Sequence, residues 1–165
     1  MSLQILKASF FKSSGFTLLE LVVVFSVIII LSTIGIAAFS TYAKIQSVQQ
    51  SALQLYSTLG LAKSRASSQV KPAQCTGQTL NGYKVIVTTS TNSYELDVVC
   101  SGFSYKIIGY VLSPGITFDL TRTTSTSFYF PIISSGVQGA GTLVLTGYSQ
   151  SKTITVNSVG NVAIK

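Results

Sequence analysis

The sequence predicts an α+β protein. One long N-terminal α-helix, transmembrane in its first half and amphipathic in its second, packs on a C-terminal antiparallel β-sheet domain. Three observations carry this expectation. Residues 16–39 are almost wholly apolar and hold no Lys, Arg or Pro. Residues 40–70 hold no Pro and one Gly, Gly60, and their apolar residues recur at spacings of three and four. From Pro72 onward the apolar period becomes two, and Gly, Pro, Asn and Ser punctuate it.

The first half of the helix reads GFTLLELVVVFSVIIILSTIGIAAF over residues 15–39. A helix from Phe16 to Phe39 rises about 36 Å, enough for a hydrocarbon core of about 30 Å. Sixteen Leu, Ile, Val and Phe residues lie in that span. At about −0.3 to −0.6 kcal/mol each, they outweigh one acid, Glu20, at about +3 kcal/mol. Residues 1–15, MSLQILKASFFKSSG, carry Lys7 and Lys12 and no acid. Basic flanks stay cytoplasmic, which places the N-terminus inside and the C-terminal domain outside. Gly35-Ile36-Ala37 imitates a signal-peptide site ahead of Ala38. The apolar run is too long for that reading and opens on an acid.

The second half, residues 40–71, shows one apolar stripe: Ile45, Val48, Ala52, Leu55, Leu59, Ala62, Ala66 and Val70. Gln46, Gln49, Gln50, Lys63 and Ser64 fall off it. The stripe reads as a core face turned to the β domain. Lys71-Pro72 supplies the stop, and Lys63, Arg65 and Lys71 suit the negative end of the helix dipole.

In residues 72–165 the alternation predicts strands at Tyr83–Thr89, Ser93–Cys100, Tyr105–Leu112, Ile116–Leu120, Ser127–Ile133, Thr142–Thr146, Lys152–Val156 and Asn161–Lys165. Turn signals separate several of them: Thr91-Asn92, Ser101-Gly102, Pro114-Gly115, the Ser135–Gly141 glycine group and Ser158–Gly160. Short antiparallel strands at this spacing suggest a small sandwich or two packed sheets. About ninety residues make a marginal core on their own, and the helix stripe completes it. Cys75 and Cys100 bracket the first two strands on the expected outer side, where disulfides persist. A bond between them is expected; two buried free thiols are the alternative. Glu95 and Asp97 share one strand face, opposite Tyr94, Leu96 and Val98. That pair reads as a solvated face rather than a calcium site, since hard cations want several oxygens.

The chain has a formal charge of +7, no His, four carboxylates and two Cys. The common general base is missing, so an enzyme is not expected, nor is a cofactor or a resident metal. Beyond Pro72 five cations face three acids with no dense basic cluster, which argues against nucleic acid as a partner.

The basic leader, Gly15, Phe16, the TLLE segment and the apolar helix together resemble the prepilin signature of type IV pilins and type II secretion pseudopilins. Phe130-Pro131, Gly136, Gly139-Ala-Gly141 with Thr-Leu-Val-Leu, Ile154-Thr-Val156-Asn and Gly160-Asn-Val162 are similar to the closing pattern of the GspH/FimT minor pseudopilins and minor pilins. The segment Leu59-Gly-Leu-Ala-Lys-Ser-Arg65-Ala is similar to the same group. The resemblance implies a pilin-like fold and a leader over residues 1–15. It further implies cleavage between Gly15 and Phe16 by a prepilin peptidase and N-methylation of Phe16. The implied partners are other pilin or pseudopilin subunits, an inner-membrane assembly platform and the lipid bilayer. The implied location is the bacterial inner membrane, single-pass with the N-terminus cytoplasmic, followed by an extracytoplasmic filament.

Glu20 carries two readings. Thr17-Leu-Leu-Glu20 fits a capping box. An acid inside an apolar span is also a functional candidate by default, and the α-amino group freed on Phe16 would be its partner. In the family that pairing sets axial register between subunits. Two alternatives stand beside a structural subunit: a DNA-binding minor pilin of an uptake system, and an anchored extracytoplasmic domain that forms no filament. Asn161 and Ala163 stand where some FimT-like members carry DNA-binding arginines, which argues against the first. Ala37 stands where many pilins carry a helix-breaking Pro, leaving Gly35 as the one weak point nearby.

Overall fold

The computed structural model describes residues 15–133 and 136–165, with the side chains of 33–35 and 37 outside the description. The leader expected over residues 1–15, including Lys7 and Lys12, therefore lies outside the described residues except for Gly15. One α-helix, α1, runs without interruption from Leu18 to Ser67, 50 residues. The chain divides into two compact units, the residues up to Ser40 and Thr41–Lys165.

In the first unit every described side chain from Leu18 to Ser40 is exposed, as it must be on a lone helix. Two of its hydroxyls bond within the helix: Ser26 Oγ donates to the Val22 and Val23 carbonyls and Ser32 Oγ to that of Ile28. Among the described residues no helix is long and apolar enough to cross a membrane.

In the second unit the helix buries Val48, Ala52, Leu55, Leu59, Ala62 and Ala66, each at most 2% exposed. This is the predicted stripe without its two ends. Ile45, one turn before the first core residue, and Val70 both stay exposed. The helix stops at Ser67 rather than at Lys71. Gln69 adopts a left-handed conformation, φ 50°, and its N–H bonds the Ala66 carbonyl while Val70 N–H bonds that of Arg65. That pair of bonds is a Schellman motif, which satisfies the last carbonyls before Pro72 is reached. With Gln in the place Gly usually takes, the stop carries no sequence signal. Arg65 remains in the last helical turn.

Eight antiparallel strands follow: β1 (Leu80–Thr88), β2 (Ser93–Cys100), β3 (Phe103–Val111), β4 (Ile116–Phe118), β5 (Ser127–Pro131), β6 (Gly141–Gly147), β7 (Gln150–Val156) and β8 (Val162–Ile164). They form two four-stranded sheets, ordered β3-β2-β1-β5 and β4-β6-β7-β8. The inner faces of both sheets and the helix stripe make one hydrophobic core. Tyr83, Val85, Leu96, Val98, Phe128 and Phe130 enter it from the first sheet, and Phe118, Leu143, Leu145 and Ile154 from the second.

Each predicted strand is present, and the shifts at its ends have local causes. β1 starts earlier because Leu80 pairs with Cys100 across a bulge at Asn81. β3 starts earlier because Ser101 and Gly102, both at positive φ, close the β2–β3 hairpin in two residues. β4 ends early because Asp119 Oδ1 accepts from the Thr121 and Arg122 N–H groups and turns the chain. β5 stops at Pro131, which has no N–H to offer. β6 and β7 are both longer than predicted, closed by Tyr148-Ser149 at positive φ without glycine. At Ser113–Ile116 the predicted Pro-Gly turn forms, Gly115 holding φ 79° that its position requires.

Candidate functional site

The N-terminal junction is where the sequence concentrates its signals. Gly15, Phe16 and Thr17 precede the helix, and Phe16 is 76% exposed. Thr17 is the N-cap: its Oγ1 accepts from the Glu20 N–H at 3.2 Å, and its carbonyl accepts from Leu21 N–H. The threonine half of the capping box is thus made. The Glu20 carboxylate is exposed on the helix surface, and among the described residues no cation pairs with it. The carboxylate stands in the first turn of an apolar helix, four residues after the exposed Phe16.

The disulfide between Cys75 and Cys100 is formed, with Cα atoms 5.6 Å apart and both residues buried. It ties the short 3-10 turn Ala73–Cys75, just past the helix, to the end of β2. Tyr83 Oη donates to the Val70 carbonyl and fixes the same corner.

On the outer face of the first sheet the solvated-face expectation holds for Glu95 and fails for Asp97. Glu95 is half-buried and pairs with Lys106 at 3.0 Å. The β2–β3 register slips between Leu96 and Asp97, and Gly109 leaves the space in which the Lys106 side chain lies, since a Cβ there would be 2.7 Å from its Nζ. Asp97 is only 5% exposed. It sits opposite Lys84 on one side and Lys106 on the other, and its Oδ2 accepts from Ser104 Oγ at 3.1 Å while Oδ1 has no partner. Burial holds its carboxyl above the usual range, against the opposing pull of Ser104 and the two lysines. Period-two reasoning gave the face correctly; burial under neighbouring side chains needed the register. Among the described residues no three metal-ligating side chains gather.

Asp119, by contrast, is held down to about 2 by hydrogen bonds from Thr121 and Arg122. Arg122 Nε reaches its Oδ2 at 2.7 Å. Near the start of the second unit, Lys44 lies over the Tyr148 ring at 5.7 Å, and Tyr148 Oη donates to the Pro114 carbonyl. At the other end of that helical segment, Lys63 Nζ donates to Asn161 Oδ1 at 2.7 Å. Nothing in the sequence paired those two residues, which stand far apart in the chain.

No family model and no curated protein matches the sequence. Two solved structures share the fold, both of the minor pseudopilin EpsH from the type 2 secretion system of Vibrio cholerae. One is 17% identical with a TM-score of 0.52, covering 72% of this chain and 96% of that one. The other is 15% identical with a TM-score of 0.52, covering 72% and 93%. The fold is therefore that of a pseudopilin: a long N-terminal helix followed by antiparallel sheets.

Proposed function

We propose that this chain is a structural subunit, a minor pilin or H-type pseudopilin, that enters a type IV pilus or type II secretion pseudopilus through its N-terminal helix. The observation that carries the reading is Glu20: an acid with no ion-pair partner among the described residues, five residues past Gly15, on an apolar helix that belongs to a pseudopilin fold. Residues 16–39 span the inner membrane, residues 40–71 and 72–165 stand outside it, and residues 1–15 are removed by a prepilin peptidase. Cleavage between Gly15 and Phe16 frees an α-amino group, subsequently methylated, that pairs with Glu20 of a neighbouring subunit. A buried ion pair of this kind specifies register better than it adds stability. The partners are other pilin subunits, the inner-membrane assembly platform and lipid. The role is structural rather than catalytic.

Glu20→Ala tests the reading. The variant should insert and be cleaved like the parent, while its co-purification with partner pilins falls. Unimpaired incorporation would remove the registry role. N-terminal sequencing of the membrane-extracted protein gives an independent check: methylated Phe16 is expected, whereas an intact Met1 would indicate a plain anchor and Ala38 an ordinary signal cleavage.

A further inference from the structure

Beside the C-terminal turn of the helix, in the second unit, the structure holds a slot of about 190 Å³. Ala66, Phe130, Pro131, Val159 and Gly136 line it together with the polar Ser67 and Lys63. Two loops distant in sequence build it, since Val137 N–H bonds the Ser158 carbonyl at 3.1 Å. Gly160, at φ 76°, lies between the Phe130 ring and the Lys63 stem, where a Cβ would touch both at 3.4 and 3.8 Å. The slot is a little larger than the roughly 150 Å³ cavity that admits benzene, so it has room for one aromatic or branched aliphatic side chain. Val159 is 58% exposed beside it and Ile133 is 92% exposed on the loop that follows β5.

The charge around the slot has one sign. Lys63 is the one charged side chain among its lining residues. No acidic side chain lines it. Glu20 is in the other unit, Glu95 is paired with Lys106, Asp119 is paired with Arg122, and Asp97 is buried between Lys84 and Lys106. The polar partner of Lys63 is a neutral amide oxygen, which leaves the ammonium uncompensated with two further protons to donate.

We propose that this slot docks a partner protein through a carboxylate placed next to an apolar side chain. The carboxylate bonds Lys63 Nζ, and the apolar side chain fills the space against Phe130, Pro131 and Val159. Charge complementarity selects an acidic partner, and the apolar walls select a protein over a nucleic acid. A phosphate backbone would leave those walls uncovered and would meet one lysine at the slot rather than a fork of donors. The proposal does not depend on the pairing of Glu20.

The test uses the full chain, isotopically labelled, in detergent micelles. Two capped peptides serve as probes, Ac-Ser-Asp-Phe-Ser-NH2 and its Asn-for-Asp counterpart. The acidic peptide should shift the amide resonances of Gly136, Val159 and Gly160 saturably, at a concentration at least about tenfold lower than the neutral one, the worth of one charge-assisted hydrogen bond. Lys63→Gln should abolish that preference and Lys63→Arg should restore it, with unchanged circular dichroism in both. Val159→Ser should weaken both peptides alike. Equal binding of the two peptides, or a preference that survives Lys63→Gln, overturns the proposal. So does a short DNA duplex that shifts the same amides more strongly than the acidic peptide.

Discussion

At Asp97 a carboxylate is removed from water between two lysines, and burial outweighs them and the Ser104 hydrogen bond, holding its carboxyl above the usual range. The consequence for stability has a definite sign. An acid whose folded pKa lies above its unfolded value binds more protons in the folded state, so stability is lost as pH rises from the unfolded value through the folded one. The full contribution is present only below the unfolded value of about 3.9. Asp97→Asn keeps an acceptor for Ser104 Oγ and removes the charge. It should therefore melt higher than the parent at pH 7, and the difference should vanish near pH 3. A difference constant with pH would mean that the lysines cancel burial, and an Asp97→Asn variant that melts lower than the parent at pH 7 would mean that they outweigh it. Tyr94 is a neutral counterpart in the core: burial pushes its hydroxyl up to about 12, so it stays protonated throughout that range.

Among the elements, the end of the helix and the first hairpin carry the clearest consequences. Gln69 holds a conformation that costs an ordinary residue about 1–2 kcal/mol and Gly almost nothing. Gln69→Gly should raise the stability of the full chain by about 1 kcal/mol, read as a higher urea midpoint at unchanged slope. Gln69→Val should lower it. A neutral result for both would mean that the Schellman bonds contribute little. The disulfide closes a loop with a sequence separation of 25. Replacing Cys75 and Cys100 together by Ser should cost about 3.5 kcal/mol through the freedom regained by the unfolded chain. Equilibrium denaturation of the double variant beside the oxidised parent measures it. The helix itself runs from Leu18 to Ser67 without a break.

For the whole second unit, cooperativity rests on one core. Leu55 and Leu59 are fully buried, and the cluster they belong to includes side chains from both sheets. Leu59→Ala should cost about 2–5 kcal/mol by lost burial and by the cavity left behind. Hydrogen exchange should then show β1 and β6 losing protection together, since the helix and both sheets contribute to one core cluster. Loss confined to β1, β2 and β5 would instead divide the unit into separately folding layers.

The α+β class, the existence of all eight strands and the core face from Val48 to Ala66 are legible in the amino-acid order alone. Those features are written in local periodicity, 3.6 against two, and in turn residues such as Ser101-Gly102 and Pro114-Gly115. It also marked Gly15, Phe16 and Glu20 as the residues with a job to explain. Tertiary structure decided what periodicity cannot carry. β5 pairs with β1 rather than with its sequence neighbour, because closing a sheet is a long-range choice between similar edges. The helix ends at Ser67 because a glutamine adopts a conformation usually left to glycine. Asp97 is buried, and Lys63 meets Asn161, only once the register and the loops beyond β5 and β7 are fixed. Charge and solvation are properties of an assembled neighbourhood, and for these residues that neighbourhood comes from distant parts of the chain.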